Sequence, residues 1–137
     1  MPNRAKVFSL EEANALIPQI ESLLANYEAQ HHAFQSLEEQ LFFEELLDCT
    51  TLPEDEIKTL EENLIKLEVE IRKIQKLGCL LRHPEKGWVD FLARRDKEWI
   101  CYCWRRGEEK ILFFHTLRGG FLDRQPLPDV VGPSCNA

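Results

Sequence analysis

The stretch IRKIQKLGCLLRHPEKGWVDF, residues 71–91, decides the fold, because the spacing of its apolar side chains changes at Gly78. Before the glycine, Ile71, Ile74 and Leu77 recur every third residue, which stacks them on one face of a helix. After it, Gly87-Trp88-Val89-Asp90-Phe91 alternates aromatic or β-branched residues between two faces, as a strand does. Gly78 stands where a helix C-terminus takes a left-handed residue, a conformation that costs glycine no Cβ clash. The chain is therefore predicted to be α+β. A long antiparallel helical hairpin over residues 9–77 packs on a small three-stranded antiparallel β-meander within residues 78–127.

Upstream of Gly78 two helices are legible. Ser9 followed three residues later by Glu12 is a capping box, in which hydroxyl and carboxylate each satisfy an unpaired backbone N–H at a helix start. Leu10, Ala13, Ile17, Ile20, Leu24, Tyr27, His31 and Phe34 then follow steps of three and four, a narrow seam facing one partner helix. Pro18 lacks a backbone N–H, so a kink or local loosening is expected over residues 14–18. Residues 48–53 read as the hairpin loop, with a second capping box at Thr51 and Glu54. The seam returns in Ile57, Leu60, Leu64, Leu67, Ile71, Ile74 and Leu77.

Downstream, residues 87–94, 98–104 and 110–115 are strand-like runs separated by the turn candidates Asp96-Lys97 and Gly107-Glu108. Two-residue hairpins at both turns align Phe91, Tyr102 and Phe113, and likewise Ala93, Ile100 and His115. On that register His115 shares a face with Val89, Phe91, Ile100, Tyr102, Trp104 and Ile111, the face expected to pack on the helices. Trp88, Asp90, Arg94, Trp99, Cys101 and Cys103 take the other face. Residues 1–127 read as one domain, and Pro128, Gly132 and Pro133 mark residues 128–137 as an extended, flexible tail.

Charge divides the chain at the same glycine. Residues 9–77 carry 16 acidic and 5 basic side chains, against 7 and 10 in residues 78–126, so an acidic scaffold precedes a mildly basic block. The net charge of −7 over 137 residues argues against generic nucleic-acid binding by the whole molecule. Residues 1–10 contain no apolar run of the kind a signal peptide needs, and no apolar stretch is long enough for a bilayer. A cytoplasmic protein without membrane association is expected. Its five cysteines, irregularly spaced, fit reduced thiols better than a disulfide framework.

Phe8, residues 11–14 and Pro18, then Leu77-Gly78, Gly87, Val89-Asp90-Phe91, Cys103-Trp104, Gly107-Glu108, His115, Gly120-Phe121 and Arg124 resemble a small bacterial family, domain of unknown function 2203, over residues 8–127. The resemblance implies a compact cytoplasmic bacterial protein. It comes with no established activity and assigns no catalytic residue.

The residues offer several chemistries. Leu41, Phe42, Phe43, Leu46 and Leu47, near the hairpin tip, exceed what one seam needs. They predict a homodimer or a docked protein partner, and with it a non-catalytic interaction or accessory module rather than an enzyme. The alternative is a polar pocket of Asp90, Arg94, Glu108, His115 and Arg124 that binds, or acts on, an anionic small molecule. Arginine is a planar two-pronged donor, and histidine exchanges a proton near neutrality. Basic residues interleaved with Trp88, Trp99 and Trp104 would suit single-stranded RNA, but seven acids in the same block dilute their charge. Cys79, His83, Cys101 and Cys103 are zinc-type ligands, yet Cys101 and Cys103 are separated by one residue rather than the two of a zinc knuckle. No metal or cofactor is assigned. No nucleophile paired with a base, no paired carboxylates in a familiar frame and no glycine-rich phosphate loop can be identified.

Overall fold

A computed structural model describes residues 5–48 and 54–128, with backbone alone for 45–48. Residues 49–53 of the expected loop, including the Thr51 cap, and residues 129–137 of the expected tail lie outside the described residues. Helix α1 spans Leu10–Asp48 and α2 spans Glu54–Gln75. The Ser9 box forms as expected, with Glu12 N–H donating to Ser9 Oγ and Ser9 N–H donating to Glu12 Oε1, each at 3.1 Å. α1 runs unbroken through Pro18. Among the described residues no helix is long and apolar enough to cross a membrane.

The helices are antiparallel. At one end Lys6 N–H donates to Gly78 O at 2.9 Å, and at the other the carboxyls of Glu44 and Glu56 meet. The α1 seam is buried from Ala13 through Ile17, Ile20 and Leu24 to Tyr27. The α2 seam is only partly covered: Leu67 and Ile74 are buried, whereas Ile57 and Leu64 stay 41% and 44% exposed. Gly78 closes α2 with φ +95°, and a Cβ there would stand 2.6 Å from Lys6 Cβ. Both the left-handed backbone and the close approach of the chain entering α1 thus require glycine at this corner.

The sheet has five antiparallel strands in chain order, not the three expected: β1 (Leu80–His83), β2 (Trp88–Arg95), β3 (Glu98–Arg105), β4 (Phe113–Thr116) and β5 (Gln125–Pro126). The added strands are both at the edges and both short. β1 is four residues with a register shift between Leu81 and His83, and β5 is two residues ending in proline. Neither offers the alternation by which a strand is recognised in sequence.

Between β2 and β3, Asp96 and Lys97 have φ of +48° and +69°, the pair of positive values that a type I′ turn needs. The expected pairings Phe91 with Tyr102 and Ala93 with Ile100 follow. The second hairpin differs. Tyr102 pairs with Phe114, and Cys101 with His115, one residue away from the expected register. The connection is longer than a two-residue turn because its residues are drawn inward. Trp104 Nε1–H donates to Glu108 O at 2.9 Å, Arg105 N–H donates to Glu108 Oε1 at 2.7 Å, and Ile111 enters the core while its N–H donates to Asn14 Oδ1 at 2.9 Å.

Val89, Phe91, Trp104 and Ile111 pack with Phe8, Ile17, Ile20, Leu24 and Ile74 in one core, so the Phe91 face covers the helices as expected. His115 is not on that face. Because side chains alternate along a strand, the one-residue slip moves it to the face of Asp90 and Cys103.

Candidate functional site

The face turned away from the helices holds the polar residues that the core has no use for. β2 contributes Asp90, β3 contributes Cys101 and Cys103, β4 contributes His115, and β1 contributes Arg82. Asp90, Cys103 and His115 are all buried, at 3%, 2% and 2% exposure. A buried carboxylate is tolerated only when paired. Here Asp90 Oδ2 accepts from Arg82 Nε–H at 3.0 Å and from His115 Nε2 at 2.9 Å.

The protonation state of His115 follows from its two partners. Nδ1 faces Thr116 O at 2.7 Å, a carbonyl that can only accept, and Nε2 faces a carboxylate. Both ring nitrogens must donate, which is the imidazolium form. Asp90 above all, with help from Cys103 and the Thr116 carbonyl, raises the His115 pKa from its ordinary 6.5 to about 10, against the opposing effect of burial. Burial pushes the neighbouring Cys101 thiol up to about 11.

A short stretch after β4 roofs this network. Gly119 lies close to it: a Cβ there would stand 3.2 Å from Asp123 Cβ and 3.5 Å from His115 Cβ. A 3₁₀ turn, Phe121–Asp123, follows, with Asp123 Oδ2 accepting from Gly120 N–H. Phe121 stacks on Trp88 with ring centroids 4.3 Å apart. The Arg124 guanidinium lies between Phe121 and Phe113, 4.1 and 4.0 Å from their centroids, and donates two hydrogen bonds of 2.9 Å to Glu108. Between roof and sheet lies a pocket of about 300 Å³, lined by Arg82, Trp88, Asp90 and Cys103 below and by Leu117, Gly119, Gly120 and Phe121 above. Trp88, one of the lining residues, has a buried Nε1–H with no hydrogen-bond partner among the described residues.

Of the five pocket residues expected from sequence, Asp90 and His115 meet directly. Glu108 and Arg124 meet each other beside Cys103 and fasten the roof rather than line the pocket. Arg94 lies four residues along β2 from Asp90, about 13 Å at strand rise, and covers Trp99 instead. The pocket expected from sequence lacks Arg82, whose short strand β1 shows no alternation, and Trp88 and Phe121, whose stacking joins segments 33 residues apart. The zinc-type set to which no metal is assigned from sequence is not assembled: Cys79 is a core residue whose thiol points to Ile74 O. At the hairpin tip Leu41 is buried, Phe42 and Phe43 are exposed, and the side chains of Leu46 and Leu47 lie outside the described residues.

A helical pair on one face of a five-stranded antiparallel sheet, with a roofed polar pocket on the other, makes this an α+β protein with a hollow of small-molecule size. The chain belongs to the uncharacterized conserved protein family DUF2203, whose model matches residues 6–127. No curated protein and no solved structure matches it.

Proposed function

We propose that the protein binds an anionic small molecule in the pocket beneath the 117–124 roof. The carrying observation is a single hollow lined both by Arg82, whose guanidinium has donors to spare, and by Trp88, whose buried indole N–H has no partner among the described residues. Spare donors in a partly desolvated site call for an acceptor. Arg82 gives one of its five N–H groups to Asp90 through Nε, and the paired Asp90 and His115 leave the guanidinium charge in excess. Trp88, Leu117 and Phe121 add apolar surface, so the fitting ligand joins a phosphate or carboxylate to a flat apolar group. Three free, buried cysteines are consistent with the reducing cytoplasm as the place of action. The RNA alternative is weakened by what covers its tryptophans: Arg94 lies over Trp99, Phe121 stacks on Trp88, and Trp104 is fully buried.

Phenyl phosphate combines both ligand features. In the presence of a metal chelator it should raise the unfolding temperature in a concentration-dependent way, because a ligand that binds only the folded state stabilises it by mass action. Arg82→Ala should abolish the rise; Arg82 is half exposed, and Asp90 retains His115 in that variant. No rise, or an equal rise in Arg82→Ala, contradicts the reading.

A second reading, self-association through the helical pair, is favoured by the uncovered Ile57 and Leu64 and by Phe42 and Phe43, which are 61% and 59% exposed. Ile57 and Leu64 belong to a seam that another helix would complete, and Phe42 and Phe43 add exposed apolar surface toward the hairpin tip. Changing Phe42 and Phe43 together to Ser should lower the sedimentation coefficient of the assembly without altering the circular dichroism spectrum. An unchanged coefficient removes the tip from any interface.

A further inference from the structure

We infer that Asp90, Cys103 and His115 form a three-ligand site for a divalent transition ion of borderline softness, zinc foremost, with its fourth position open to the pocket. The inference deepens the anion-binding reading of the same site, and the two can fail separately.

One carboxylate oxygen, the Cys103 Sγ and one imidazole nitrogen lie within 4.8 Å of one another, and all three residues are buried. They come from three adjacent strands whose ladder fixes their spacing: Asp90 pairs with Cys103, and Cys101 pairs with His115. Donors on tetrahedral zinc stand about 3.3–3.6 Å apart, from bond lengths of about 2.0–2.3 Å. His115 Nε2 and Asp90 Oδ2, now 2.9 Å apart, would open by about 0.4 Å. Cys103 reaches the same point by closing no more than about 1.5 Å, within the range of one χ1 adjustment.

The surrounding hydrogen bonds are those a metal site needs. A ligating histidine donates its other ring N–H to a carbonyl or carboxylate, which fixes tautomer and ring orientation. His115 Nδ1 already does so to Thr116 O, leaving Nε2 to face the other two ligands. Arg82 Nε–H donates to Asp90 Oδ2, the oxygen that also meets His115, and so fixes the carboxylate in place. The mixture of one oxygen, one sulfur and one nitrogen suits zinc better than the oxygen-preferring magnesium or calcium. On binding, the ion replaces the protons on His115 Nε2 and Cys103 Sγ, which pass to solvent. The charge facing the pocket stays the same: a dication with a carboxylate, a thiolate and a neutral imidazole equals an imidazolium with a carboxylate and a thiol. Arg82 remains beside either arrangement, so an anion would enter as the fourth ligand.

Cobalt(II), titrated into chelator-treated and desalted protein, tests the site directly. The expected result is one equivalent bound, with a sulfur-to-cobalt charge-transfer band in the near ultraviolet and the intense visible bands of a tetrahedral ion, both bleached by zinc. Cys103→Ser should remove the charge-transfer band, and Cys101→Ser should keep it. Should Cys103→Ser not fold, the nitrogen spectrum of the wild-type His115 ring decides: zinc must shift Nε2 and leave Nδ1 protonated. No charge-transfer band, a band that survives Cys103→Ser, or an unshifted Nε2 overturns the site. A phenyl phosphate response without a cobalt band sinks the metal alone, whereas a cobalt band without that response sinks the anion reading alone.

Discussion

Replacing Asp90 with Ala is expected to lower the unfolding free energy by about 3 kcal/mol or more, the usual cost of removing one partner from a buried charge pair. Two groups lose their acceptor at once, since Arg82 Nε–H and His115 Nε2 share Asp90 Oδ2. The loss should also depend on pH in a defined direction. Asp90 holds the His115 pKa above its unfolded value of 6.5, up to about 10. A raised pKa stabilises the fold fully below 6.5, and that contribution is lost as pH rises through about 10. In chelator-treated protein, the gap between wild type and Asp90→Ala should therefore be widest near pH 6 and should shrink toward pH 10. The groups around the ring do not reverse this sign: Arg82 stays charged, Cys101 is shifted up to about 11, and the Thr116 carbonyl does not titrate. Denaturant unfolding at four or five pH values checks it. A gap that is constant over that interval would show that Asp90 does not raise the His115 pKa in the folded protein.

Trp104→Ala should cost about as much, roughly 3–5 kcal/mol, by the scale for deleting a fully buried aromatic side chain. Trp104 is completely buried against the helical core. Its indole N–H also holds Glu108 O, and Glu108 in turn fastens Arg124 and the roof. One residue thus joins the core to the site. Trp104→Phe separates these roles, keeping most of the apolar volume while releasing the Glu108 carbonyl at a cost of about 1–2 kcal/mol. The Phe variant should weaken the phenyl phosphate response more than its small stability loss accounts for. Denaturant curves give the first quantity and ligand-dependent melting the second. An Ala variant costing under about 1 kcal/mol would contradict the packing described.

Features decided within a few residues were legible in the sequence. The Ser9–Glu12 box, the Gly78 corner and the Asp96-Lys97 turn all depend on local backbone chemistry, and the Phe91 face follows from them by alternation. The β3–β4 register was not legible. It depends on Ile111 entering the core and on Glu108 holding Trp104 and Arg105, contacts that no local pattern around Gly107 announces. That single slip carried His115 from the helical face to the pocket. The site was legible to the same extent. Asp90 and His115 stand out in the sequence by their chemistry, and they do meet. Spacing alone sets Cys103 beside Cys101, whereas its partners Asp90 and His115 lie 13 and 12 residues away on neighbouring strands rather than at motif spacing. Arg82 required β1, whose four residues before Pro84 carry no strand signature.

An anion received in the hollow beneath the 117–124 roof would be reported individually by the three indole N–H resonances. Phenyl phosphate, titrated into chelator-treated protein, should shift the Trp88 signal progressively to saturation, as its unpartnered Nε1–H gains an acceptor. The Trp104 signal, already bonded to Glu108 O, and that of Trp99, beneath Arg94, should stay in place. A Trp88 resonance that does not move, or three that move alike, would contradict the account.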